Sequence, residues 1–172
     1  MEKRAYFPGM RFNNWPVPSK IAPFFADSKT RTTLWSGGND NWGLSVHGLN
    51  GTEHLPPYSQ VGGRGPRCQI EAHMTFWANP EHGILLYYKK FGNGLSIHHF
   101  SRGDTSRLKE WVRTTHDDLR PVGLYIPFVK AWTAIKEFMN TNGDLPEAIT
   151  WIKPEELPIG TFPDPWEHPE VE

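Results

Sequence analysis

A chain of 172 residues, 37% of them hydrophobic, is long enough to bury the core of one domain without disulfide or metal staples. Its single cysteine, Cys68, excludes an internal disulfide framework and suits a reducing compartment, while a formal net charge of -1 argues against a general binder of nucleic acid or membrane. No apolar run is long enough to span a bilayer, and Pro8, Pro16, Pro18 and Pro23 break up any signal-peptide plan in residues 1–25, so a soluble cytoplasmic protein is expected.

Residues 1–30 read as an extended lead-in rich in proline and aromatic residues. Short strands are predicted at 32–36 and 43–47, the second with Leu44 and Val46 on one face and Ser45 and His47 on the other. The Ser-Gly-Gly-Asn-Asp between them lacks the lysine and hydroxyl of a P-loop, and also the spaced carboxylates and closing glutamate of an EF-hand. Gly and Asn tolerate positive φ, so this segment is expected to be a hairpin turn carrying Asp40 and Trp42 on its exposed tip.

Residues 50–68 have no period of their own. Within them Gly62, Gly63 and Gly65, flanked by Arg64 and Arg67, could hold an anion, although such a loop outside a strand-to-helix junction is more often only a loop. Residues 69–77 alternate cleanly, with Ile70, Ala72, Met74 and Phe76 inward and Gln69, Glu71, His73 and Thr75 outward. "ANPEHG" makes a turn into the more buried strand "ILLYYKK", and "GNG" turns again into "LSIHHF", where Leu95 and Ile97 point in, His98 out and His99 in. Strands with one polar face suggest an antiparallel sheet covered on one side only.

Around Leu108, Trp111 and Val112 a short helical turn should lead into a strand, and "LRPVGLYI" reads as a further strand. The main helix is predicted at 127–143. Pro127 suits its first position, Phe128, Trp132, Ile135 and Met139 form its apolar stripe, and Asn142-Gly143 supplies a left-handed cap. Trp132, Ile135, Phe138 and Met139 are expected to be buried against Ile70, Met74 and Leu86. "LPEAITWI" is a final strand. The expected fold class is α+β: a meandering antiparallel sheet with one main helix packed on its apolar face. The chain is read as a single domain with its core at about 31–153, an extended Pro-rich N-terminal lead-in at 1–30 and an acidic C-terminal tail at 154–172.

The near-zero net charge hides an asymmetry. All 18 Lys and Arg lie at or before Lys153, and Glu155, Glu156, Asp164, Glu167, Glu170 and Glu172 follow it. The body, with 13 of the 19 acids, stands at +5 and the tail at -6. Five prolines keep the tail out of helix and central strand, leaving either a strap on the body or an acidic arm.

If the strands are neighbours, His47, Glu71, His73 and His98 share a polar face, open to three readings: a solvated surface, a partner-binding surface or a zinc site. Spacing alone fixes none of their distances, so no metal or other cofactor is expected, and protein purified without a His tag should hold no stoichiometric zinc. His98 and His99 are no chelate, because adjacent strand residues point apart. There is no Gly-x-Ser-x-Gly elbow, no nucleophile signature around Cys68 and no His-x-Glu with Pro-Cys-x-x-Cys deaminase pattern, so no catalytic residues are assigned and no enzyme is expected. Trp111 and Trp132 fit a core, whereas Trp42 on a turn fits a protein-binding surface.

"VGLYIPFVKAWTAIKEFMNTNGDLPEAITWI" (122–152) resembles the C-terminal signature of immunity protein family 1 of bacterial polymorphic toxin systems: a strand, a helix started by Pro127 with Phe138 near its end, a Gly-x-x-Pro turn at Gly143 and Pro146, and a strand ending in Trp151. "ANPEHGILLYYKKF" resembles the family's central Asn-Pro turn and buried strand, and "WSGGNDNWGLSVHGL" its opening hairpin. The resemblance covers about 34–152 and leaves out the lead-in and the tail. It implies a cytoplasmic protein that binds and neutralises a cognate secreted toxin domain, commonly a nuclease or nucleic-acid deaminase, without itself contacting nucleic acid or membrane. The residues expected to meet such a partner are Asp40, Trp42, Glu71, His73, Glu155, Glu156, Asp164 and Glu167, the acids facing a basic cleft. Two alternatives stand beside it: a small metal-dependent hydrolase using the His/Glu-bearing sheet face, and a module binding a small ligand at 62–67.

Overall fold

The computed structural model describes residues 1–7, 10–26, 41–61 and 67–172, with residues 10–12 in backbone only. The predicted strand at 32–36, the hairpin tip with Asp40, and the Gly62–Gly65 loop with Arg64 lie outside the described residues.

Period-two alternation sets up the centre of the molecule. Strands β3 (Asn41–Leu49), β4 (Ile70–Asn79), β5 (Gly83–Gly92) and β6 (Leu95–Ser101) pair antiparallel in chain order, as the meander requires. Outside β3 lie β1 (Glu2–Phe7) and then β2 (Met10–Phe12), while β10 (Trp151–Ile152) borders β6 and β9 (Tyr125–Ile126) pairs with the start of β5. The lead-in is therefore more than an extended segment. Its first residues complete the sheet, and the short helices α1 (Pro18–Ile21) and α2 (Pro23–Ala26) bring Ile21, Phe24 and Phe25 into the core. Proline at the start of each helix suits this arrangement, since its missing N–H has no intrahelical partner there.

Helix α3 (Phe128–Asn140) lies on the apolar face and buries Ala131, Ala134, Ile135, Phe138 and Met139 in one cluster with Ile70, Met74, Phe76 and Leu86. Trp132 is only half-buried, stacked on Phe25 with ring centroids 5.0 Å apart. Pro127 sits one residue before the helix as its N-cap. At the other end Gly143 N–H donates to Phe138 O (2.9 Å) and Asn142 N–H to Met139 O (3.4 Å), with Asn142 at φ 57°, which is the Schellman closure its Asn-Gly pair favours.

The opposite sheet face is not uniformly open. Toward one end Trp77, Leu85, Leu108, Leu124, Tyr125 and Ile152 form a second core. It is covered by a 3-10 turn at Thr105–Arg107, by the ribbon of β7 (Trp111–Arg113) and β8 (Leu119–Pro121), and by the C-terminal segment. The one-sided sheet expected from alternation is corrected here, because Trp77 and Leu85 continue the outward rows of β4 and β5 with apolar side chains that need a second layer. "LRPVGLYI" is likewise no single strand: a 3-10 turn at Val122–Leu124 separates β8 from β9.

No helix among the described residues is long and apolar enough to cross a membrane.

Candidate functional site

On the far half of the same outward face the register brings three polar side chains together. His47 on β3 stands directly across from Glu71 on β4, and His73 follows Glu71 by two residues on the same side. Glu71 Oε2 lies 3.1 Å from His47 Nδ1 and 3.1 Å from His73 Nε2, and one potential ligand atom from each of the three residues falls within 4.8 Å of the others. The His47 and His73 rings meet edge-on at 5.5 Å. Ser45 Oγ is 3.1 Å from the other ring nitrogen of His47, and the backbone N–H of Tyr58 donates to Glu71 Oε1 (3.2 Å).

Residues 50–61 bring a roof. Thr52 Oγ1 accepts from Ile70 N–H (2.8 Å) and anchors this segment to the start of β4, and the Tyr58 ring packs edge-on against Phe91 at 4.6 Å. Phe91 in turn lies 5.1 Å from the His73 ring. Beside His73 and Ser45 a cleft of about 380 Å³ opens toward Arg4, Tyr6 and Asn13.

Burial alone would raise the Glu71 pKa, but the hydrogen bonds from His47 and His73, with the charge those rings carry when protonated, outweigh it and hold the carboxyl far below its ordinary range. Burial pushes the His73 imidazole the other way, toward the neutral form. Its hydrogen bond to Glu71 opposes this, and Lys89 across the strand reinforces it. The arrangement is an ionised carboxylate between two imidazole N–H groups.

Glu71 and His73 thus occupy the expected face, but only His73, whose side chain is 26% exposed beside the cleft, is open to a partner, whereas Glu71 is not. The Glu71 side chain is 6% exposed, because residues 50–61 close over it and its oxygens are already taken. His98 also faces outward, yet β5 intervenes: His73 pairs with Lys89 and Lys89 with His98, two strand spacings or about 10 Å away. There it bonds Tyr87 Oη (2.6 Å) and Ser96 Oγ (3.0 Å).

Trp42 is the largest correction. It is wholly buried, not on an exposed tip, and packs among Phe7, Phe24, Phe25 and Phe76. Strand β3 starts at Asn41, so Trp42 extends the inward row of Leu44 and Val46, a signal the period-two count could have supplied.

The tail is a strap, held by its backbone. Arg113 donates through Nε to Val171 O (2.9 Å) and through Nη2 to His168 O (2.8 Å), and Trp111 Nε1 donates to Thr161 O (3.0 Å). Phe162 packs against Phe100 with tilted rings at 5.2 Å, and His168 against Trp111 likewise at 4.9 Å. Charge pairing plays little part: among the described residues none of the six tail carboxylates forms an ion pair with a Lys or Arg of the body. Glu155, Glu156, Asp164, Glu167, Glu170 and Glu172 are all exposed, and between them Ile159 is 99% and Trp166 85% exposed. Sequence reasoning found the acids and missed Trp166, although it sits in the same acidic run, between Asp164 and Glu167.

Comparison with known protein families, with characterised proteins and with solved structures finds no match for this chain.

Proposed function

We propose that this chain is an immunity protein, which binds and neutralises a cognate toxin domain in the cytoplasm of the producing cell and has no catalytic role of its own. The observation that carries the reading is the strapped tail, a segment that holds Trp166 and Ile159 out in water among six exposed carboxylates, none of them ion-paired with a Lys or Arg of the body among the described residues. Large apolar side chains kept exposed on an ordered segment mark contact surfaces, and tryptophan is the residue most enriched among the anchors of such contacts. Carboxylates around the anchor speed and orient the approach of a basic partner. The clefts of nucleases and nucleic-acid deaminases are basic because their substrate is a polyanion. The anchor role expected of Trp42 passes to Trp166, with Glu155, Glu156, Asp164 and Glu167 as the steering acids.

The test is binding to any toxin domain found encoded beside this gene, measured by calorimetry with the full chain. Trp166→Ala should weaken binding about 30-fold, the equivalent of a 2 kcal/mol anchor. A toxin domain that binds wild type and this variant equally well removes the tail from the contact, and one that binds neither removes the immunity reading. A second reading, a small metal-dependent hydrolase, draws on the convergence of His47, Glu71 and His73, without the His98 first grouped with them. It requires turnover of a phosphoester or ester by the full chain, lost in Glu71→Gln.

A further inference from the structure

The geometry points to a divalent transition-metal site, of the kind that suits zinc, formed by His47 Nδ1, Glu71 Oε2 and His73 Nε2. The expectation of no metal rested on unknown distances, and the sheet register now supplies them. Four donors at about 2.0–2.2 Å around a tetrahedral zinc stand roughly 3.3–3.6 Å apart. Here the carboxylate oxygen is 3.1 Å from each ring nitrogen and all three atoms lie within 4.8 Å of one another, so side-chain rotation that widens the first two distances and draws the ring nitrogens together would seat an ion among them. Two imidazoles and one carboxylate are a zinc donor set that keeps a fourth position free.

The surroundings have the form that metal ligands need. A ligating histidine commonly gives its other ring N–H to a fixed acceptor, and His47 has Ser45 Oγ at 3.1 Å from Nε2. The second oxygen of Glu71 is held by Tyr58 N–H. All three ligands lie on neighbouring strands, which position side chains more rigidly than loops do. Phe91 and Tyr58 wall off one side, and the cleft beside His73 leaves room for water, or a carboxylate drawn by Arg4, as a fourth ligand. The nearby cation Lys89 opposes the ion, and its Nζ is attracted to the Phe91 ring, 5.1 Å from the centroid. The competing arrangement is the bare triad, in which both imidazoles donate to Glu71 and no ion enters.

Untagged full-length protein, stripped with a chelator, exposed to zinc and passed through gel filtration, should carry one zinc per chain by elemental analysis and melt at a higher temperature than the stripped form. Cobalt(II) in its place should give the visible absorption bands of a four- or five-coordinate site. Glu71→Gln keeps the shape of the side chain and should lose both the zinc and the bands, whereas His98→Ala should keep them. A folded wild type that retains no zinc overturns the proposal, as does zinc that persists equally in Glu71→Gln and His73→Ala.

Discussion

Trp42 meets four phenylalanines at ring-centroid separations between 5.7 and 6.4 Å, and Trp166 stands 85% exposed on the tail. Their substitutions should therefore separate stability from binding. Trp42→Ala removes a large ring from a filled core and should lower stability by about 3–5 kcal/mol, read from the midpoint of urea denaturation. Half-buried Trp132 keeps one face against Phe25, so Trp132→Ala should cost about 2 kcal/mol, less than a fully buried ring. Trp166→Ala should stay within about 0.5 kcal/mol of wild type, because its ring has almost no contacts to lose in the free protein. If the Trp166 variant unfolds early, its ring belongs to the strap and not to a contact surface.

Two elements depend on backbone detail that side-chain hydrophobicity does not report. The turn after α3 places Gly143 at φ 104° against the sheet, where an added Cβ would fall 2.5 Å from a Val46 methyl and 3.1 Å from Ala72 Cβ. Gly143→Ala should thus lower stability by about 2 kcal/mol or more through both the left-handed backbone and the clash, measurable as a fall in melting temperature. The strap hangs on Arg113, whose guanidinium reaches the carbonyls of Val171 and His168 from a half-buried position. Arg113→Ala should cost about 1–3 kcal/mol, the range for hydrogen bonds from a charged donor, and should open the tail to proteolysis beyond Lys153. A tail that stays resistant in that variant would show that the aromatic contacts of Phe162 and His168 suffice.

At the scale of the molecule the charges are separated, +5 on residues 1–153 and -6 on the tail, and the strap keeps them so without neutralising one by the other. Association with a basic partner should slow as salt rises, because the approach is steered over distances comparable with the Debye length. Replacing Glu155, Glu156 and Glu167 together with glutamine should flatten that dependence and leave the melting temperature within a degree or two, since these carboxylates hold no cation of the body. Stopped-flow association at two ionic strengths distinguishes the cases, and an unchanged slope in the triple variant would place the contact elsewhere on the molecule.

Local patterns in the chain carried much of this fold. Alternation in β3 to β6 told which side chains face the helix, the stripe from Phe128 to Met139 located α3, and Asn142-Gly143 closed it, because each of these depends on neighbours within a few residues. The same period placed His47, Glu71 and His73 on one face and stopped there. A two-residue repeat states the side of a strand and not its offset from the next, and a slip in register would have parted His47 from Glu71. That offset, the addition of β1 outside β3, and the pinning of the tail by Arg113 are set by contacts between residues 21 to 58 positions apart. Tertiary structure decided them, because such contacts form only when many segments pack at once and no local propensity encodes them.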